Sequence, residues 1–172
     1  MSVLRLLFVA IALGAVACGR PFKVETPPGL LELHDEPPPY AYRALAPEGV
    51  VAGIRVVDLS DDSGGLEFWS RAVVLRMREI DGYALLASSD VHSADGTPGR
   101  ELRFGHDQGG KPYLYTVRLY LAQSRLFVVE TGGPRDEVLR YQPSLDWMQG
   151  TVKVRCGGFL APVLSSHTCN RW

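Results

Sequence analysis

Tyr113-Leu-Tyr-Thr-Val-Arg-Leu-Tyr-Leu121, followed by Ala-Gln123-Ser124-Arg and then Leu126-Phe-Val-Val-Glu130, is the stretch that decides the fold. Tyr113, Tyr115, Val117, Leu119 and Leu121 fall on one face, and Thr116, Arg118 and Tyr120 on the other. That period-two alternation is the pattern of a strand. Gln123-Ser124 is a hairpin-length link, so Leu126 to Glu130 returns as an antiparallel partner. Upstream, Tyr83 to Val91 reads as a strand, Asp95-Gly-Thr-Pro-Gly99 as a turn and Glu101 to Phe104 as a short strand. Asp107-Gln-Gly-Gly110 is a further turn.

Further upstream, Tyr40 to Leu45 alternates, Pro47-Glu-Gly49 turns, and Val50 to Asp58 is β-branched. Val50, Ala52, Ile54 and Val56 share one face, and Val51, Arg55 and Val57 the other. Ser60 to Gly65 is a loop with N-cap candidates. A helix is predicted from Leu66 to Ile80, with Leu66, Trp69, Val73, Met77 and Ile80 on one face. Asp81-Gly82 stops it. Downstream, Gly132-Gly-Pro134 opens a final helical region. Pro143 is expected to split it into pieces at 135–141 and 144–149, because proline removes a helical donor. Thr151 to Arg155 is a last strand or an extended tail. Strands that follow one another through short links argue for an antiparallel sheet. The expectation is an α+β domain over residues 40–155, with about six strands and helices packed on the sheet.

The bulk numbers agree with one such domain. The chain has 172 residues, 46% hydrophobic and 22% charged, with a mean hydropathy of +0.00. These values exclude a collagen-like, wholly disordered or multi-pass membrane chain. A net charge of -1 supplies no basic field for nucleic acid, so no nucleic-acid partner is expected.

The N-terminus departs from the average. One basic residue, Arg5, precedes Leu6 to Ala17, which carry no charge or polar side chain. That run is too short for a membrane span, which takes about 20 helical residues. It fits a signal-peptide core over residues 1–17. Ala15-Val-Ala-Cys18 resembles the bacterial lipobox, in which the peptidase cuts before the cysteine and the new N-terminal Cys18 is acylated. Ala15 departs from that motif, where leucine is usual. The competing reading is a plain signal peptide cut after Ala17, which leaves Cys18 a free thiol. Two or three acyl chains anchor stably where one does so marginally. In lipobox families an aspartate after the cysteine favours the inner membrane. Residue 19 is glycine, so an outer-membrane lipoprotein of the cell envelope is expected. Cleavage leaves 155 residues with a side-chain balance of -2.

Residues 19–39 hold six prolines. They read as a lipid-proximal tether, extended and partly polyproline II, reaching roughly 60 Å at about 3.1 Å per residue. The alternative is a docking segment with Leu30, Leu31 and Leu33 as anchors.

Ala46-Pro-Glu-Gly-Val50 leading into a valine-rich strand, Leu66-Glu-Phe-Trp69 on a helix, Asp81-Gly-Tyr83, and Tyr113-Leu-Tyr115 with Leu126-Phe-Val-Val129 resemble the PsbP-like superfamily. That group includes photosystem II extrinsic proteins, a Ran-binding nuclear import factor and bacterial envelope proteins such as DcrB. The resemblance covers about Tyr40 to Val154. It implies an antiparallel sheet flanked by helices and a binding or assembly role. The superfamily has no shared catalytic motif, so no catalytic residue is carried over.

Cys156 and Cys169 remain once Cys18 is acylated, and an oxidising envelope pairs them. The closed loop, over the tail 156–172, is worth on the order of 3 kcal/mol in the chain-entropy model. A redox pair is the alternative, but the C-x-x-C spacing is missing. Phe159, Leu160, Val163 and Leu164 in that loop pack on the core or form a partner surface. His34, His92, His106 and His167 show no zinc-ligand spacing, so no metal or other cofactor is expected. Asp90 and His92 share a strand face, and with His106 they form the one candidate acid/base set. Solvated strand-end residues are the plainer reading. Ser88-Ser89, Ser165-Ser166 and the paired glycines match no nucleophile or phosphate-binding motif. Arg71, Arg76 and Arg78 read as an exposed basic helix face. With Trp172 they are the candidate partner surface. Trp69 is expected in the core, and Trp147 in it or half exposed. The functional expectation is a non-catalytic, lipid-anchored envelope protein that binds or helps assemble a protein partner. An envelope hydrolase using Asp90, His92 or His106 and a small-ligand carrier are the alternatives.

Overall fold

The structure, a computed structural model, describes residues 20–34, 38–60 and 64–155. The signal peptide, Cys18, Cys156, Cys169, the tail to Trp172 and three residues of the loop before the first helix lie outside the described residues. Among the described residues the elements run β1 (Leu31–Glu32), β2 (Tyr40–Leu45), β3 (Val51–Asp58), α1 (Leu66–Glu79), β4 (Ala84–His92), β5 (Pro98–Gln108), β6 (Lys111–Ala122), β7 (Arg125–Pro134) and α2 (Arg135–Thr151). Seven strands form one antiparallel sheet in the order β1-β2-β3-β7-β6-β5-β4.

The sheet has an apolar row on each face. The alternation of β6 and β7 dictates this: Tyr120, Phe127 and Val129 point to one side, Leu119, Leu126 and Val128 to the other. On the first side α2 packs through Val138, Leu145 and Met148 over Tyr42, Ala44 and Ile54. On the second side α1 packs through Leu66, Trp69, Val73 and Met77 over Leu102, Phe104 and Val117. The helix-face expectation for α1 holds except at Ile80. That residue caps the helix and is exposed. The cap before α1 is also plainer than expected: Gly65 occupies it with no side-chain hydrogen bond.

Three features differ from the sequence reading. Residues 20–34 are not a free spacer. Phe22 is buried in the α2-side core, Lys23 pairs through its backbone with Lys153 at 2.9 Å in both directions, and β1 lengthens the sheet. A single aromatic side chain with a core slot outweighs the local extended bias of the prolines. The second difference is α2, which is one helix with Pro143 inside. Pro143 is exposed, and so is Leu139, one turn back, whose carbonyl loses the partner. The missing bond therefore falls on the solvent side, where water can replace it. Third, Gly132 and Gly133 continue β7 instead of turning.

Asp95, in the β4–β5 turn, fastens the end of the domain. Its carboxylate accepts hydrogen bonds from the Ser93 and Thr97 hydroxyls and from the backbone N–H groups of Val154 and Arg155, both at 2.7 Å. Burial pushes its pKa up, but the bonds from Ser93, Arg155, Thr97 and Val154 outweigh that and leave it below its ordinary value. A lowered carboxyl pKa stabilises the fold above the unfolded value of about 3.9 and ceases to do so as pH falls through the folded value. Asp95→Asn is expected to cost about 1–2 kcal/mol at neutral pH. That deficit should shrink as pH falls below the unfolded value of about 3.9 and on through the lower folded value. Thermal unfolding across this pH range checks both parts.

Candidate functional site

The α1 side of the sheet carries both places where function can be sought. One is built around Glu130. This residue shares the parity of Leu126 and Val128, so β7 turns a carboxylate into the core, where it is only 4% exposed. Arg55 on β3 has the same inward parity as Val51 and Val57. It meets Glu130 through one guanidinium edge, Nε and Nη2 each donating to a separate carboxylate oxygen, the Nε–Oε2 distance being 3.1 Å. The Tyr40 and Tyr115 phenols converge on the same carboxylate, and burial followed by the Glu130 charge pushes both phenol pKa values up.

Glycines make this convergence possible. A Cβ on Gly53 would stand 2.7 Å from the Tyr40 ring, and one on Gly132 would stand 2.5 Å from the Tyr115 ring. Each ring therefore occupies the space over a residue that has no side chain. Gly132→Ala is expected to displace Tyr115 and cost about 1–3 kcal/mol by overpacking. Tyr115→Phe, which removes the hydroxyl alone, should cost about 1 kcal/mol. Urea unfolding of the two variants checks that order. The pocket beside the cluster measures about 280 Å³ and also meets Val73, Arg76 and Met77. Its carboxylate and guanidinium satisfy each other and the two phenols close around them, an arrangement that holds β2, β3, β6 and β7 together.

The second place is the cleft between α1 and β4, about 750 Å³. Its walls are Phe68, Val74, Leu75, Leu85 and Leu102. Leu75 is 61% exposed and Phe68 56%. Arg100 stands at one end, 3.3 Å from Asp90 and 3.7 Å from Glu67. Beside it β4 is the last strand of the sheet, and eight of its nine residues are exposed. It contains no lysine or proline to blunt pairing, though it has one register irregularity between Leu85 and Ala87. The opposite edge is β1, two residues long, which is itself a protected form of edge. On folded domains, contiguous apolar surfaces of this kind are found at protein, membrane and ligand contacts.

The structure separates most of the sequence-predicted site residues. Asp90 is ion-paired with Arg100, and His92 pairs across the ladder with Pro98. His106 lies eight residues farther along β5, about 26 Å at 3.3 Å per residue. There its Nδ1 lies 3.0 Å from the Gly82 carbonyl oxygen, and its ring stacks on Tyr83 at 4.7 Å. The acid/base set is therefore not assembled. The three arginines do not form one face either. Arg71 and Arg78 border the α1–β4 cleft, whereas Arg76 borders the Glu130 pocket and pairs with Asp81 at 3.6 Å. Helical geometry requires this split, because five residues turn the direction by about 140° at 3.6 residues per turn. Trp69 packs on the core as expected, and Trp147 is half exposed. Among the described residues no cluster of three His, Cys, Asp or Glu side chains is placed to hold a metal ion.

The sequence reading missed the Glu130 cluster and the open cleft. The first had a signal: two charged residues, Arg55 and Glu130, at inward parity on separate strands.

No protein-family model matches the sequence, and no curated protein matches it. Solved structures do. The chain is similar to the cyanobacterial PsbP (CyanoP) of Synechocystis sp. PCC 6803, with a TM-score of 0.52 and 11% identity over 82% of this chain and 96% of that one. It is also similar to LpqN of Mycobacterium tuberculosis, described as involved in cell envelope biogenesis, with a TM-score of 0.55 and 12% identity over 77% and 82%. At such identities the likeness is one of fold, and the fold is PsbP-like, as the sequence resemblance implied.

Proposed function

We propose that the chain is a non-catalytic protein of the bacterial cell envelope, held by lipid on Cys18, that binds or helps assemble a protein partner through its α1–β4 face. The observation that carries this reading is the cleft itself: exposed Phe68, Leu75 and Leu85 beside a strand edge that has no partner among the described residues. The chemistry around it also favours binding. Asp90 and Arg100 are tied in ion pairs, and His106 is remote.

Membrane attachment in this reading rests on Cys18, and Gly19 favours the outer membrane. No helix among the described residues is long and apolar enough to cross a bilayer. The envelope description of LpqN fits the same location. Pairing of Cys156 with Cys169 in the oxidising envelope belongs to the same proposal.

Mass spectrometry of the mature N-terminus should find an acylated Cys18, and an unmodified Cys18 overturns the anchor. A photo-crosslinking residue placed at position 75 or 85 in intact cells should yield a protein adduct. The same residue at Leu139, exposed on α2, is the control. Adducts no stronger than that control overturn the face assignment.

A further inference from the structure

Resting on the reading of the α1–β4 face as a protein contact, we propose that its occupant is a second copy of this chain. Two β4 edges pair antiparallel about a two-fold axis normal to the sheet, and two α1 helices lie antiparallel across it.

The first argument is chemical. An exposed edge needs a partner strand with free backbone donors and acceptors, and a second β4 supplies them by symmetry. The strand carries a single charged side chain, Asp90, already paired with Arg100 of its own chain. Self-pairing therefore brings no unpaired like charges together along the edge.

The second argument is geometric. The ion pairs of Arg100 with Glu67 and Asp90 place the start of α1 level with the end of β4. The backbone bond from Tyr83 to Met77 places the end of α1 level with the start of β4. The middles of the two elements, near Ala72 and Ser88, thus lie at one level, and both line the cleft. One axis can pass by both, which a symmetric contact requires. It leaves the two α1 helices, each seated over β4 to β6, about 14 Å apart, three strand spacings of about 4.8 Å. Leu75 of each copy, set toward Phe68 of the other, occupies that gap.

Charge order gives the third argument. Along the cleft side of α1 the charges run Glu67, Arg71, Arg78, Glu79. Antiparallel apposition about that level sets Glu67 toward Arg78 of the other copy and Arg78 toward its Glu67, while Arg71 stays bridged to Glu67 of its own chain at 3.2 Å. Neither Arg78 nor Glu79 has an ion-pair partner among the described residues of its own chain. A parallel arrangement would set like against like.

The test uses the full-length protein in detergent and in cells. A photo-crosslinker at position 75 should give an adduct of twice the chain mass containing this chain alone. Arg78→Glu should weaken self-association about tenfold, since it replaces two attractions by two repulsions. Glu67→Arg should do the same, and the double reversal Glu67→Arg/Arg78→Glu should restore it. Both positions are on the helix surface, so the rescue separates pairing from folding. A double variant as weak as the single ones overturns the proposal. So does a monomer whose position-75 adducts contain only another protein, although that result keeps the face as a partner surface. No adduct at all overturns both readings.

Discussion

Phe22→Ala is expected to destabilise the domain by about 3–5 kcal/mol, the usual cost of truncating a fully buried phenylalanine. The effect is large because Phe22 is 2% exposed and sits in the core with Tyr42, Ile54, Phe127 and Met148. Little can collapse into the vacated space, since Lys23 beside it is held to Lys153 by two backbone hydrogen bonds. A domain of this size is stable by roughly 5–15 kcal/mol, so this one truncation is a large part of the total. Urea unfolding followed by tryptophan fluorescence should show a lower midpoint with an unchanged slope. Leu31→Ala, at an exposed position in the same segment, should change stability by less than about 0.5 kcal/mol. Equal, small effects of both would return residues 20–34 to the role of a spacer.

Arg118→Ala should have a comparable effect for a different reason. Glu101 is a buried carboxylate that accepts from Arg118 Nε at 2.6 Å and Arg103 Nε at 2.7 Å. Arg103 is half exposed, so removal of Arg118 leaves the charge with one solvent-weakened partner. Breaking a buried pair from one side costs about 3 kcal/mol or more. Burial pushes the Glu101 pKa up, but the hydrogen bond and charge of Arg118, then those of Arg103, bring it below the usual carboxyl value. A depressed pKa means stability that is present above the unfolded value of about 4.3 and lost as pH falls through the folded value. Wild type and Arg118→Ala should therefore converge on acidification below about pH 4. Replacing the pair together, as Glu101→Leu/Arg118→Met, should recover most of the loss, because no unpaired charge remains. Denaturation at pH 7 and pH 3.5 tests the convergence, and the double variant tests the cause.

The central hairpin was legible because alternation is written directly in the residues: what points inward at 113–121 and 126–130 is a matter of parity. The two helices were legible in position for a similar reason, through the period of Leu66, Trp69, Val73 and Met77. What the sequence concealed depends on partners distant in the chain. Phe22 is surrounded by prolines that argue for extension, and only the slot between α2 and β2 makes it core. Gly132-Gly133-Pro134 punctuates like a turn, yet Gly132 serves to admit the Tyr115 ring. Leu85 and Leu86 look like interior residues, and become surface only because β4 ends the sheet. Asp90, His92 and His106 looked like neighbours because each stands near a strand end. Register decides otherwise, since β5 carries His92's partner and His106 at opposite ends.

The burial of Phe22 has a consequence for motion at a membrane. With lipid on Cys18, as proposed, only four peptide steps separate the anchor from a side chain locked in the core, about 14 Å at full extension. The domain would ride against the bilayer with the α2 side of its sheet fixed relative to the surface, and it would lose most of its freedom to tumble. Two such molecules would search for each other by lateral diffusion in a plane, already sharing an orientation. A contact too weak to persist between free solutes can hold under that confinement, because effective concentration rises without any new interaction.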